Sequence, residues 1–171
     1  DRTVEKRISY VGINTAHPNR LGFEAIENSL IAELDRYDEI KREVKYGQNS
    51  RIDILLRASG RRSCYVEIKN VHLMRKPGLA EFPDSQTKRG VKHLHELIDM
   101  VSKGHRAVMF YIIQRADADR FTVAADKDPD YAAAFIKARG AGVEMIAYNC
   151  EISPRSIEIH KPIKIIAPDD I

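Results

Sequence analysis

Asp53, Glu67 and Lys69 are the residues whose types and spacing could do chemistry. In Cys64-Tyr65-Val66-Glu67-Ile68-Lys69-Asn70 a period-two alternation sends Cys64, Val66 and Ile68 to one face of a strand and Tyr65, Glu67 and Lys69 to the other. Arg51-Ile52-Asp53-Ile54-Leu55-Leu56 reads the same way, with Ile52, Ile54 and Leu56 inward and Asp53 on the face of Arg51 and Leu55. The turn-forming stretch Ser59-Gly60-Arg61-Arg62-Ser63 folds the two runs into a hairpin, which sets Asp53 beside Glu67. Adjacent carboxylates repel, and one lysine supplies one compensating charge, so a divalent cation is the partner the pattern asks for. Oxygen ligands suit Mg²⁺ or Mn²⁺ rather than zinc. Lys69 would then stabilise charge building on a phosphate or orient the attacking water. The same D…ExK string also fits a cross-strand ion-pair pattern on a solvated sheet face.

The elements that must position these residues are legible around them. Residues 21 to 34 carry Ile26, Leu30, Ile31 and Leu34 at helical spacing, with Asn19 as the expected cap and Glu24 on the charged side. Tyr37 to Tyr46 is expected as the strand before the Asp53 strand, joined through Gly47-Gln48-Asn49. Lys41, Arg42, Lys45 and Arg51 make it locally basic, although Glu39 and Glu43 are interleaved. His72 to Asp84 shows no periodicity and is expected as a long connection.

The next helix has Val91, Leu94, Ile98 and Val101 on one face and stops at Lys103-Gly104. Lys88, Arg89, Lys92 and His93 crowd its first turns, where the helix dipole already places positive charge, as in an anion site. Compensation by Asp84 and nearby acids is the alternative. Ala107 to Ile113 is near-continuously apolar, as in a strand buried on both faces. The stretches Asp117 to Phe121 and Asp126 to Asp130 read as acidic loops, with Asp128 capping and Pro129 opening a helix over residues 131 to 139. Strands over 143 to 153 and 157 to 165 follow, completing a mixed α/β arrangement.

The 171 residues, 43% hydrophobic, suffice for one filled core. A net charge of +3 is mildly basic, so any nucleic-acid contact must come from local patches. Cys64 and Cys150 are the only two cysteines and form neither a disulfide framework nor a zinc spacing, which fits a reducing cytoplasm. The sequence shows no signal-peptide pattern, and its longest apolar run is too short to span a bilayer. A start at Asp1 rather than Met reads as residues missing upstream.

Longer strings carry a more specific signal. Gly12-Ile13-Asn14-Thr15 with Pro18-Asn19-Arg20-Leu21, Lys45-Tyr46-Gly47 with Ser50-Arg51-Ile52-Asp53, Tyr65 to Val71, Phe82-Pro83-Asp84 with Arg89-Gly90 and His93-Leu94, and Gln114-Arg115 with Asp117 to Phe121 together resemble the sugar fermentation stimulation protein A (SfsA) family over nearly the whole chain. The resemblance implies a PD-(D/E)XK, restriction-endonuclease-like α/β core with a mixed central sheet flanked by helices, covering residues 15–171. Residues 1–14 would be the remnant of an N-terminal β-rich, OB-like portion and linker. By motif match, Asp53, Glu67 and the carbonyl of Ile68 would hold Mg²⁺ or Mn²⁺, and Lys69 would be the catalytic lysine. Glu24 matches an additional acid used by some nucleases of this fold, while Ile52 stands where the nominal Pro would be.

Two functions follow as expectations. The first is a Mg²⁺-dependent nuclease, with Lys88, Arg89, Lys92, His93 and Arg51 gripping the nucleic-acid backbone. The second is a DNA-binding regulator of sugar-utilisation genes that does not cut. DNA is the expected partner with RNA left open, and a homodimer is compatible because many nucleases of this fold pair.

Overall fold

A computed structural model describes residues 17–168 apart from Gln48, so the expected N-terminal remnant over residues 1–14 lies outside the described residues. The chain enters helix α1 (His17–Glu27) and a 3-10 turn (Ala32–Leu34), then the meander β1 (Glu39–Tyr46), β2 (Ser50–Arg57) and β3 (Cys64–Val71). A short hairpin follows, β4 (Leu73–Lys76) and β5 (Leu79–Phe82), then α2 (Lys88–Ser102), β6 (Arg106–Ile113), β7 (Arg120–Val123) and α3 (Pro129–Gly140). The described chain closes with β8 (Glu144–Ile152), β9 (Ile157–Pro162) and β10 (Lys164–Ile166).

Six strands form the main sheet in the order β1-β2-β3-β6-β8-β9. Its centre, β3-β6-β8, is parallel and its flanks are antiparallel. The expected mixed sheet flanked by helices is therefore present. Parallel central strands need cover on both faces, and two apolar cores supply it. One gathers Leu21, Ala25 and Ile26 of α1 against Val66, Ile68 and Phe110. The other gathers Leu94, Leu97 and Met100 of α2 and Phe135 of α3 against Met109 and Tyr111. A second sheet, β10-β7-β5-β4, closes the far side of this second core through Ala80, Phe121 and Val123.

Several boundaries differ from the sequence expectation. The first helix stops at Glu27 instead of running to Leu34, because Ser29 takes the left-handed conformation (φ 55°). Leu30 N–H then bonds Ala25 O at 2.8 Å and Ser29 N–H bonds Ile26 O at 3.0 Å, the paired bonds of a Schellman stop. Ile31 and Leu34 reach the core through the 3-10 turn, and Leu30 is left exposed. Asn19 lies inside α1 rather than capping it.

The segment His72 to Asp84 is not a plain connection but the β4–β5 hairpin, turned at Gly78 (φ 79°). Its strands are too short to show alternation, and β5 is buried at Leu79, Ala80 and Glu81 on successive residues. Part of the expected acidic loop, from Arg120, is likewise strand β7. The last expected strand breaks at Ile163 into β9 and β10, which belong to different sheets.

Candidate functional site

Asp53 sits where β2 loses its regular pairing on both sides. The register matches Arg42 with Ile54 and Val44 with Ile52, which places Glu43 across from Asp53, and Glu43 has φ 53°, a conformation that costs a non-glycine residue energy. On the other side, pairing with β3 runs only as far as Ile54 with Val66. Beyond it the Asp53 carboxylate takes over: Oδ2 accepts the Ile68 backbone N–H at 2.7 Å, and Oδ1 accepts Asn19 Nδ2 at 2.8 Å. The side-chain alternation slips at the same point. Ile54 and Leu56 pack with α1, whereas Ile52 and Leu55 pack with α2 and α3; on β1, Ile40 and Val44 divide in the same way. Ile52, Ile54 and Leu56 therefore do not share one face as the sequence reading expects, because the distortion at Glu43 and Asp53 turns the pleat over.

On β3 the alternation is intact, and Glu67 and Lys69 point together toward α2. Glu67 is buried; its Oε1 accepts Lys69 Nζ at 2.8 Å and contacts His93 Nδ1. Its Oε2 is buried and has no hydrogen-bond partner among the described residues. Lys69 Nζ also lies 3.0 Å from His93 Nδ1, and Arg89 Nε donates to His93 Nε2 at 3.3 Å. Burial pushes the Asp53 carboxyl up, and the neighbouring Glu67 charge adds to the push. The Ile68 N–H, Lys69 and Asn19 pull it back only in part, leaving it at about 6. Burial acts on Glu67 in the same direction, but the His93 hydrogen bond and the Lys69 charge outweigh it and hold that carboxyl below its usual range.

The structure thus brings Asp53, Glu67, Ile68 and Lys69 together. It does not bring Glu24: that carboxylate is half exposed, pairs with Arg20 at 3.4 Å, and borders a groove with Asn28, Leu30 and Ile157. The neighbour of Asp53 on α1 is Asn19, five residues earlier and well round the helix from Glu24. Among the described residues, no three His, Cys, Asp or Glu side chains are grouped closely enough to hold a metal by themselves.

The basic cluster of α2 divides in two. Lys88 and Lys92 lie on the outer side, lining a groove of about 570 Å³ with Gly47, Asp99 and Lys103, and Lys92 approaches Glu96 at 3.6 Å. Arg51 is exposed and donates to the Glu43 carbonyl at 3.2 Å. His93 is 4% exposed and faces Glu67, so its ring is not presented to a phosphate backbone at the surface. The signal was in the sequence: Gly90, His93, Leu97 and Met100 recur at helical spacing and are all buried, a stripe beside the one formed by Val91, Leu94, Ile98 and Val101. Asn19 had no comparable signal, since its role depends on where α1 crosses β2.

The family described as "Sugar fermentation stimulation protein RE domain" matches residues 16–156. The chain belongs to the SfsA family. Two curated sugar fermentation stimulation protein homologs, from Brucella anthropi and Agrobacterium fabrum, are each 54% identical over 162 residues. That alignment takes in 95% of this chain and 70% and 68% of theirs. A solved structure of SfsA from Pyrococcus furiosus in complex with Ca²⁺ superposes with a TM-score of 0.82 at 29% identity, over 90% of this chain and 66% of that one. This SfsA-family chain therefore spans about two thirds of the length of the proteins it matches. Among its described residues no helix is long and apolar enough to cross a membrane.

Proposed function

We propose that this part of the SfsA-family protein holds a divalent cation between Asp53 and Glu67 and hydrolyses a phosphodiester of bound DNA. The observation that carries the reading is the buried, unpartnered Glu67 Oε2 beside an Asp53 carboxyl raised to about 6. A lone pair without a partner and a carboxylate whose charge is disfavoured by burial and by its acidic neighbour are both relieved by one cation. The Ca²⁺ complex of the Pyrococcus furiosus relative supports a divalent site in the family; Mg²⁺ or Mn²⁺ is proposed as the working ion here.

Asp53, Glu67 and the Ile68 carbonyl are the residues that would hold the cation. When bound, the ion polarises a phosphoryl oxygen and acidifies a water molecule. The chain's own residues do the rest. Asn19 and the Ile68 N–H fix the Asp53 carboxylate, and Glu67 holds Lys69 at 2.8 Å, so an ammonium stands ready to donate to a non-bridging oxygen or to orient water. Arg89 reaches the site through His93, and Lys88, Lys92 and Arg51 offer further exposed positive charge for backbone phosphates.

The test is titration calorimetry with Mg²⁺ and Mn²⁺ on the parent and on Asp53→Ala with Glu67→Ala, followed by plasmid nicking with the same preparations. Binding and nicking by the parent, with neither in the double variant, is the expected result. A parent that binds no cation sinks the reading. The withdrawal of Glu24 favours a second reading, a DNA-binding regulator that does not cut. That reading predicts salt-dependent DNA binding with no nicking under any cation.

A further inference from the structure

His93 is the buried imidazole of the site, and three groups compete for its two nitrogens. Arg89 Nε, always a donor, points at Nε2. Glu67 Oε1, an acceptor when ionised, meets Nδ1, and Lys69 Nζ lies 3.0 Å from the same atom. Only one assignment satisfies both the arginine and the carboxylate: Nε2 is the acceptor and Nδ1 carries the hydrogen. The contact between Lys69 and Nδ1 is then not a hydrogen bond, and the lysine's partner is Glu67 Oε1.

The consequence falls on Glu67. Two donors, His93 Nδ1–H and Lys69 Nζ, converge on Oε1, while Oε2 has none and is shut away from water. The carboxylate cannot rotate to share its donors without breaking both bonds, so its unpaired lone pairs are confined to Oε2. We infer that His93, held by Arg89 in its Nδ1–H form, is a positioning residue that orients Glu67 so that Oε2 is the atom offered to a cation. This rests on the divalent-site reading above. It places Arg89 in a second role besides any phosphate contact: the exposed guanidinium on the first turn of α2 sets the tautomer of a ring that touches a carboxylate inside the protein.

Two measurements test it. In the parent chain without metal, imidazole ¹⁵N spectra are expected to show His93 protonated at Nδ1 and bare at Nε2, the minor form of free histidine; Arg89→Ala should shift the ring toward the Nε2–H form. A parent spectrum showing Nε2–H overturns the proposal whatever the cation does. In calorimetry with Ca²⁺ or Mg²⁺, His93→Leu should weaken binding roughly 10–100-fold, the usual cost of losing a residue that orients a metal ligand. His93→Asn, whose side-chain amide can still donate to Oε1, should recover most of that loss. A parent that binds and a folded His93→Leu that binds equally well overturn the positioning role alone. A parent that binds no cation overturns the metal reading and this proposal with it. Thermal unfolding of each variant shows that it is folded, and Arg89→Ala, at an exposed position, carries the test if His93→Leu does not fold.

Discussion

Two strands of one sheet, with β3 between them, are built to opposite specifications. β6 pairs on both sides without interruption, with β3 from Cys64 to Val71 and with β8 from Glu144 to Asn149, and every side chain from Ala107 to Ile113 is buried. Two positions away, β2 loses regular pairing on both sides at Asp53, changes face, and gives its carboxylate to a backbone N–H. Along β6 apolar burial and ladder bonds point the same way; at Asp53 and Glu67 a half-buried and a buried acid repel each other and one oxygen is left unpaired. Stability is concentrated in the central strand, and the strain tolerated beside it goes with an acid oxygen left without a partner.

Substitutions at the two places should separate these roles. Phe110→Ala, in β6, should cost about 3–5 kcal/mol in urea unfolding, as expected for emptying an aromatic from a tight core, and leave the cation affinity of the folded fraction unaltered. Glu67→Ala should do the reverse, lowering cation affinity by ~100-fold or more in calorimetry with a much smaller loss of stability; equal losses of both would erase the distinction. Asp53→Asn removes a charge that burial disfavours. The rise from 3.8 to about 6 corresponds to at most ~3 kcal/mol, so a gain of ~1–2 kcal/mol at pH 7.5 is expected, together with loss of cation binding.

The pH dependence follows from the same group. Because its folded-state pKa is raised, Asp53 contributes stability that is complete below about pH 4 and is lost as pH rises through about 6. Cation binding requires the ionised form, so affinity should be roughly tenfold weaker at pH 5 than at pH 7.5, with proton release on binding read from buffers of different ionisation enthalpy. The smallest effect belongs to the surface. Lys88→Ala and Lys92→Ala should each reduce the salt slope of DNA binding by about one and leave cation affinity in the absence of DNA unchanged.

Much of this was legible before any coordinates. Cys64 to Val71 shows its faces because its alternation is unbroken, and Ala107 to Ile113 shows its central place because no polar residue interrupts it. Asp53 was found as a residue but not as a distortion: the slip between Ile52 and Ile54 arises from the conformation of Glu43, which is set by pairing and leaves no mark in residue type. Glu24 and Asn19 show the same limit, since helical periodicity gives a helix its faces but not the strand each face will cross. The basic neighbours Lys88, Arg89 and Lys92 draw His93 toward phosphate in the sequence, although its spacing from Leu97 and Met100 puts it on a buried stripe.

One buried side chain outside the acid pair acts on two helices at once. Asp128 accepts the Tyr131 N–H through Oδ1, capping α3, and the Thr87 N–H through Oδ2, at the residue that caps α2. A single carboxylate thereby ties together the starting points of two helices separated by forty residues of chain. Since α2 delivers both Arg89 and His93, the tilt of the imidazole is anchored in part from the loop before α3, and altering that knot would move His93 against Glu67 while every residue around Glu67 stayed the same.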